Sequence, residues 1–549
     1  MTAVVRDAGD SALLLELEAS IEPRVNARAI AIAAAVRADA VPGVLDVVPT
    51  YRSVAVYFDP LKTELLRLRA VLERAAAAPG IDAPGREIEV AVAYGGEYGP
   101  DLGEVAAFAG LSEDSVAARH AATPYRVYML GFLPGFAYMG IVDDAIAAPR
   151  RASPRAHVPA GAVGIAGKQT GVYPVDSPGG WQIIGRTGER VFDATRAQPA
   201  LFAPGDLVRF VRDDTSVGLK RALTRDMKEI GSERRRGEDD SGAERHITVL
   251  KPGLFTTIQD NGRWGYQASG VPVSGPMDPF AYRTANALVG NDAGAAALEA
   301  TLTGPELRFD AAATVAIAGA DLGATLDGHE LRPLTPALAP AGGIVRFGER
   351  RRGARAYVAF DGGVATPAVL GSRATHVLAA VGGRALQAGD RLPLAGRRST
   401  RRRFPPLRDS AAIGGARVRV LPGPQDQFFA DAAYDVLQSS RFTVTPQSNR
   451  MAYRLESRRA IPRREPAAMI SDATFTGAIQ VPASGMPILL MADRQTTGGY
   501  PQIATVISAD LPLAAQLAPG DWIEFQVCSR ADAVAALIAQ EGQLLGLES

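Results

Sequence analysis

Val158-Pro159-Ala160-Gly161, followed by Gln169-Thr170-Gly171 and Tyr173-Pro174, has a near copy far downstream. There Val481-Pro482-Ala483-Ser484-Gly485 leads to Gln495-Thr496-Thr497-Gly498-Gly499-Tyr500-Pro501. Both blocks then end in Ala-Pro-Gly-Asp and an apolar strand: Ala203–Asp206 with Leu207–Phe210, and Ala518–Asp521 with Trp522–Phe525. Self-similarity of this kind marks a repeated structural unit. Three ordered matches predict a duplicated barrel, one copy ending each half of the chain.

Working outward, β-branched runs at Glu87–Ala93, Tyr125–Leu130, Val163–Ala166, Gln182–Gly185 and Asp206–Val211 alternate with Gly and Pro. Many short strands between turns predict a closed or nearly closed barrel over 81–215. Upstream, residues 1–80 predict a small α+β module: strand Ala12–Leu17, helix Arg24–Asp39, strands Val44–Pro49 and Ser53–Phe58, helix Lys62–Ala78, stopped by Pro79-Gly80. From Asp213 to His246 the chain turns polar and charged, through Glu233–Arg236 and Glu238–Ser241, which predicts a linker over 216–246. Residues 247–549 return to strands and turns, with helices predicted at Pro279–Val289 and Arg530–Gln540. A second polar break, Arg397–Arg403, reads equally as a boundary within this half or as a solvated loop. The predicted fold is mainly β with α+β parts.

Composition narrows the function. The 549 residues carry 59 Lys plus Arg against 59 Asp plus Glu, so no net field draws nucleic acid or an anionic membrane. Fifty-seven Gly and 38 Pro argue for turns and against a helical bundle. One cysteine, Cys528, excludes a disulfide scaffold and a Cys-based zinc site. Arg6, Asp7 and Asp10 precede any apolar run, unlike a signal peptide. Apolar stretches such as Ala311–Ala320 reach half of the roughly 20 residues a membrane helix needs. A soluble, cytoplasmic protein is the expectation.

The densest site candidate runs from His157 to Thr187, with Gly167-Lys168-Gln169-Thr170-Gly171 and Ser177-Pro178-Gly179-Gly180-Trp181. Glycine amides can ring an anion, and Lys168, Arg186, Arg150, Arg151 and Arg155 supply positive charge. A phosphate or carboxylate pocket and a turn-rich barrel with surface arginines both fit. It is no P-loop, because Ala162 and Gln169 occupy the positions of the first Gly and the Ser/Thr. Gln259-Asp260-Asn261-Gly262-Arg263-Trp264-Gly265-Tyr266 offers ligand-binding groups, but Asp260 and Arg263 can simply pair across a turn. Asp278, before Pro279, suits a helix N-cap better than catalysis. Gly423-Pro424-Gln425, Ser448-Asn449-Arg450 and Arg494–Tyr500 add further amides and guanidinium groups. Five scattered histidines lack metal-ligand spacing. No nucleophile elbow and no Cys–His pair is present. Met227-Lys228 is half of a biotin-attachment sequence, but Glu229 follows, so covalent biotin on this chain is not expected.

Pro149–Arg155, Val158–Gly161, Ala166–Tyr173, Ser177–Trp181 and Ile184–Thr187 resemble the B component of bacterial 5-oxoprolinase, the Kip-type kinase-inhibitor family. Leu254–Tyr266, Ser274–Asp278, Asn286–Asn291 with Glu299, Gly423–Gln425 and Asp493–Tyr500 resemble its C component. The pair also resembles the carboxyltransferase region of urea carboxylase, long labelled allophanate hydrolase subunits 1 and 2. The resemblance implies a B–C fusion with a cyclophilin-like β-barrel in each half. It also implies a separate LamB/YcsF-type A component as partner and ATP-dependent opening of the cyclic amide 5-oxoproline to glutamate. Two alternatives follow from the same resemblance: biotin-dependent carboxyl transfer, and Kip-type binding to a sensor histidine kinase.

Activating a lactam by phosphoryl transfer needs anion-stabilising amides and cations more than a protein nucleophile. On that chemistry Lys168, Gln169, Arg186, Arg494, Gln495 and Thr496 are the catalytic candidates. Arg150, Arg155, Ser177, Gly179 and Gly180 are candidates for ATP. Asp260, Arg263, Asp278, Gln425, Arg450 and Tyr500 are candidates for substrate, with one of the acids a candidate for Mg2+. A homo-oligomer is left open.

Overall fold

The computed structural model describes residues 3–78, 85–214, 219, 245–396, 413–464 and 469–548. Pro79-Gly80, Arg397–Arg403, Lys228 and all of the expected linker except Leu219, Arg245 and His246 lie outside the described residues.

The amino-terminal sheet joins β1 (Val4–Asp7), β2 (Ala12–Glu16), β3 (Val44–Pro49) and β4 (Ser53–Phe58) in the antiparallel order β1-β2-β4-β3. Helices α1 (Pro23–Ala38) and α2 (Leu65–Ala77) cover one face. Val25, Ala29, Ile32, Ala33 and Val36 recur at helical spacing and pack on Leu13, Leu15, Val54 and Val56. Lys62 stays outside α2 because Asp59 holds a turn, accepting from Leu61 N and pairing with Lys62. The other face of the sheet is also buried: Leu14, Val48, Ala55 and Tyr57 pack on Ala473, Phe475 and Leu490 from the far end of the chain. Burial on both faces explains why β2 and β4 read as continuous apolar runs rather than alternating ones.

The first closed barrel uses β5 (Glu87–Tyr94), β6 (Tyr125–Leu130), β7 (Ala137–Gly140), β9 (Ala162–Ala166), β10 (Gln169–Val172), β12 (Gln182–Arg186) and β13 (Leu207–Arg212). A two-stranded ribbon pairs β8 (Arg155–Val158) with β11 (Ser177–Gly179). Val90, Val92, Val127, Ile165, Val208 and Phe210 help fill the interior. Helices α3 (Leu102–Ala109) and α4 (Glu113–Ala122) sit between β5 and β6 and were absent from the expectation. They are short and Ala-rich. Their legible signal was the Ser112 cap, which accepts from Ser115 N ahead of two acidic residues.

The second closed barrel uses β14 (Gly415–Pro422), β15 (Phe442–Val444), β16 (Ala452–Glu456), β18 (Ala478–Gln480), β19 (Ile488–Leu490), β21 (Gln502–Val506) and β22 (Trp522–Val527). Its ribbon pairs β17 (Asp472–Ala473) with β20 (Thr497–Gly498). Strand for strand the order matches the first barrel, down to the parallel pairs β5–β13 and β14–β22. Two closed barrels of one topology are therefore present, as the repeat predicted, and they are the cyclophilin-like barrels that the resemblance implied.

The register of that repeat is corrected. Ala203–Asp206 and Ala518–Asp521 do hold equivalent places, each turning into the last barrel strand. Val158–Gly161, however, precedes β9, whereas Val481–Gly485 follows β18, the equivalent of β9. In register, Gly161 matches Gly477, each at positive φ one residue before its strand. Gly179-Gly180-Trp181 likewise matches Gly498-Gly499-Tyr500 at the ribbon ends. Gln169 opens β10 while Gln495 lies beyond β19, so the two are not counterparts. Short Pro–Gly turn signals suit several hairpins, which is how the matches slipped by one strand.

The carboxyl half is more than a barrel. Residues 246–394 form a six-stranded and a five-stranded sheet over a shared core that includes Leu298, Leu307, Ile317 and Val358. Helix α5 (Pro279–Leu288) packs on the five-stranded sheet. Helices α6 (Asp431–Ser439) and α7 (Leu511–Ala515) flank the second barrel, and α8 (Arg530–Glu548) runs well beyond Gln540. Asp278 caps α5, accepting from Ala281 N at 2.8 Å, and its other oxygen accepts from Gln516 Nε2 at 2.7 Å, tying helix to barrel.

That cap titrates near neutrality. Burial, and secondarily the nearby Glu299 carboxylate, push Asp278 from 3.8 up to about 6. An acid with a higher pKa folded than unfolded binds its proton more tightly when folded. Its stabilising contribution is thus complete below pH 3.8 and is lost as pH rises through about 6. Measured against Asp278→Asn, the native chain should lose about 3 kcal/mol of relative stability across that window. Urea midpoints of both chains at four pH values read the difference; a constant difference would refute the raised pKa.

Candidate functional site

The segment Asp493–Pro501, linking β19 to β21, connects two sets of functional side chains. At its start Asp493 pairs with Arg450 through Nε–Oδ2 at 2.9 Å and Nη2–Oδ1 at 3.0 Å. Arg450 also donates to Glu299 and, at 2.7 Å, to the Gly275 carbonyl. Glu299 accepts in turn from Met277 N at 2.9 Å and Tyr357 Oη at 2.7 Å. Burial works against the Arg450 charge, yet the two carboxylates raise its pKa above the usual arginine value. Burial likewise pushes Asp493 up, but the Arg450 guanidinium outweighs it and holds the carboxyl below its usual range.

This network floors a cavity of about 600 Å3 between the five-stranded sheet and the second barrel. Leu254, Phe255, Leu302, Val377, Leu378 and Met451 form apolar walls; Arg355, His376, Asn449, Arg450 and Asp493 form the polar end. His376 Nδ1 accepts from Ala379 N at 3.0 Å, so its proton sits on Nε2, which lies 3.2 Å from the Asp493 carbonyl oxygen. Both ring nitrogens are thus engaged.

Further along, Arg494 is buried, donates to Gln267 Oε1 at 2.9 Å and lies 5.6 Å from the centre of the Tyr57 ring. The Gln495 carbonyl accepts from Thr474 Oγ1. Thr497 then reaches the first barrel, meeting Gly131. Close by, the Tyr51 hydroxyl bonds Gln169 Nε2, and the Tyr51 ring lies 5.1 Å from Tyr128 and 6.4 Å from Tyr138. The Arg150 guanidinium lies 6.0 Å from the Trp181 ring centre. Tyr51 was missed by the sequence reading; it arrives from the β3–β4 turn of the amino-terminal sheet, where only a Pro49-Thr50-Tyr51 turn signal marks it.

The structure gathers some candidates and separates others. Arg150 and Gln169 share the aromatic cluster with Thr497, the neighbour of Thr496. Lys168 sits apart, paired with Asp144 at 2.7 Å on an exposed edge. Arg151 and Arg155 share the buried Asp101, and Arg186 Nε donates to the Ala160 carbonyl at 2.9 Å. Ser177 is buried and its Oγ has no hydrogen-bond partner; Gly179 and Gly180 flank it at the ribbon end.

Asp260 and Arg263 do not pair across their turn, contrary to expectation. Asp260 accepts from Gly262 N, Ser372 Oγ and Arg373 N at 3.0, 2.5 and 2.6 Å. Arg263 donates to the Val369 and Ala374 carbonyls at 3.1 and 2.7 Å. Both instead fasten the 366–382 loop, because buried charged groups take whichever backbone partners the fold brings them. Asp278 is spent as a cap. Gln425 is buried and accepts from Gln502 N at 3.2 Å, and Tyr500 is half exposed at the ribbon end. Of the substrate candidates, only Arg450 lines the cavity.

Paired barrels of one topology, bridged through a two-sheet layer, define a carboxyltransferase-type chain. The carboxyltransferase domain, subdomain C and D, matches residues 3–202, and the carboxyltransferase domain, subdomain A and B, matches residues 269–527. The chain is 38% identical over 293 residues to the C component of 5-oxoprolinase from Escherichia coli K12, covering 53% of this chain and 94% of that protein. It is 41% identical over 221 residues to the B component of 5-oxoprolinase from Bacillus subtilis, covering 38% and 92%. The crystal structure of TTHA0988 superposes with a TM-score of 0.80 at 36% identity, over 95% of this chain and 100% of that one. Urea amidolyase of Saccharomyces cerevisiae is 33% identical over 301 residues, covering 51% of this chain but 16% of that protein. The chain belongs to the family of 5-oxoprolinase B and C components, with a B-like and a C-like half in one polypeptide.

Proposed function

We propose that this chain supplies the B and C components of an ATP-dependent 5-oxoprolinase. With a separate LamB/YcsF-type A component it would open 5-oxoproline to L-glutamate. The observation that carries the reading is that both halves, each related over nearly the whole length of its counterpart, dock through buried polar contacts. Ser53 Oγ donates to Asp472, Tyr57 Oη to the Thr474 carbonyl at 2.8 Å, and Gly135 N to the Ser269 carbonyl at 2.9 Å.

ATP would supply a phosphoryl group to the lactam oxygen, releasing ADP. Water would add to the activated ring carbon, and the C–N bond would break as the nitrogen takes a proton. A second water would release phosphate from the resulting acyl phosphate. The cations do not form one cradle, since Lys168 lies with Asp144 and Asp101 neutralises Arg151 and Arg155. Arg150, whose guanidinium lies beside the Trp181 ring, is the group best placed to meet its phosphates. Mg2+ would enter with the nucleotide, held mainly by its phosphates and water. No described helix is long and apolar enough to cross a membrane.

The test is glutamate and ADP release from 5-oxoproline and MgATP, by the chain alone and mixed with the LamB/YcsF-type component. Product only in the mixture is expected. Arg186→Ala and Gln495→Ala should each lower turnover by at least about 100-fold in chains that remain folded; normal turnover in both would remove these two from the chemistry. The likeness to urea amidolyase favours a second reading, biotin-dependent carboxyl transfer with a carrier on another chain. Absence of glutamate from a mixture that demonstrably assembles would move the assignment there.

A further inference from the structure

The cavity above the Arg450 network is larger than the proposed substrate requires. Its volume of about 600 Å3 lies within the range of pockets that enclose drug-sized molecules, whereas 5-oxoproline is one small ring with a carboxylate. Leu254, Val377 and Leu378 at its walls are 65%, 43% and 39% exposed, an apolar rim in open contact with solvent.

The polar end shows what head group would fit. Both Asp493 oxygens are taken by Arg450. Asn449 Oδ1 accepts from Met451 N and Ala452 N, Ser448 Oγ is bonded to both backbone groups of Arg454, and His376 is engaged at both nitrogens. Tyr453 Oη accepts from Arg355 Nη1 and faces the Ala515 and Leu517 carbonyls. Among the described residues, the side-chain groups left without a hydrogen bond here are Arg355 Nε and Nη2, Asn449 Nδ2 and the Thr301 hydroxyl. Three of the four can only donate, so the ligand must accept.

Charge decides between kinds of acceptor. Arg450 and Arg355 face Asp493 and Glu299, with Arg355 Nε 3.9 Å from Glu299, so the buried group is balanced. A carboxylate would add an uncompensated charge, and an ammonium would bring a charge and donors against donors. We propose that this cavity binds a small uncharged amide, with an apolar body against Leu254, Phe255, Val377, Leu378 and Met451 and its carbonyl oxygen at Arg355 Nη2 and Asn449 Nδ2. Arg355 is then a specificity-determining residue. The site is independent of the reaction proposed above, because binding needs neither ATP nor the LamB/YcsF-type component.

The test is calorimetric titration of the full chain, alone, with 4-phenylbutanamide, 4-phenylbutanoate and 4-phenylbutylamine, which share one apolar body. The amide should bind at least about tenfold more tightly than either charged analogue, the worth of one buried hydrogen bond. Met451→Trp, which fills the cavity, should abolish its binding. Leu254→Asp on the exposed rim, which threatens folding least, should weaken it by about tenfold. Equal or tighter binding of the acid or amine overturns the head-group assignment. Amide binding unchanged in both variants, or none in the native chain, overturns the site. Since no turnover is measured, none of these outcomes bears on the glutamate assay, and failure of that assay leaves this site standing.

Discussion

Arg450→Met should destabilise the chain by about 3–5 kcal/mol, measured as a shift in the urea midpoint at pH 8. The side chain is 6% exposed and stands between two buried carboxylates, Glu299 at 1% and Asp493 at 8%. Methionine replaces its volume but none of its four described hydrogen bonds. Asp493 and Glu299 would remain as neighbouring buried charges, the costly half of a broken ion pair. The deficit has a pH signature. In the native chain Arg450 holds Asp493 below its usual range despite burial. Without the guanidinium, burial raises the Asp493 carboxyl, so its protonation relieves the variant as pH falls. The loss should therefore shrink from pH 8 to pH 5, whereas a packing defect would be flat. A loss below about 1 kcal/mol would mean that water enters and solvates the carboxylates, and the network would then be no rigid floor for the cavity.

What the sequence made legible follows from how local each signal is. The barrels were readable because alternating short strands and the repeated Ala-Pro-Gly-Asp turns are local. The turn Asp accepts backbone N–H groups in both copies, Ala203 N to Asp206 and Ala518 N to Asp521. Arg450 stood out within Ser448-Asn449-Arg450, but Glu299 and Asp493 could be joined to it only by the fold. The cavity was not readable at all. Its walls come from 254–255, 301–302, 354–355, 376–378, 444–453, 493 and 517–519, and no spacing rule links those stretches. Asp260 and Arg263 mislead for the opposite reason. They are close in sequence, yet the 366–382 loop offers each of them buried backbone partners, and those satisfy the charges better than a solvated turn pair. The register slip has the same origin, because Val-Pro-Ala-Gly describes a turn and not a position in a barrel.

The seam between barrels should be the least forgiving surface of the molecule. Gly131 is not at positive φ, so its backbone would tolerate a side chain; the obstacle is across the seam. A Cβ there would fall well inside contact distance of Thr497 Oγ1, Cγ2 and Cβ, and Thr497 is itself buried. Gly131→Ala should cost roughly 1–3 kcal/mol as overpacking. It should also displace the Asp493–Pro501 segment, which carries Arg494, Gln495 and Thr496 between the halves. Thr497→Gly removes all three obstructing atoms, at the expense of its own contacts with the Tyr138 side of the first barrel. The double variant should accordingly be more stable than the sum of the single losses by at least about 1 kcal/mol. If the two losses simply add, the barrels part without strain and the segment does not couple them. If they compensate, and glutamate release with the LamB/YcsF-type component recovers in the double variant alongside stability, the two halves act as one unit through this contact, and their presence in a single polypeptide has a physical reason.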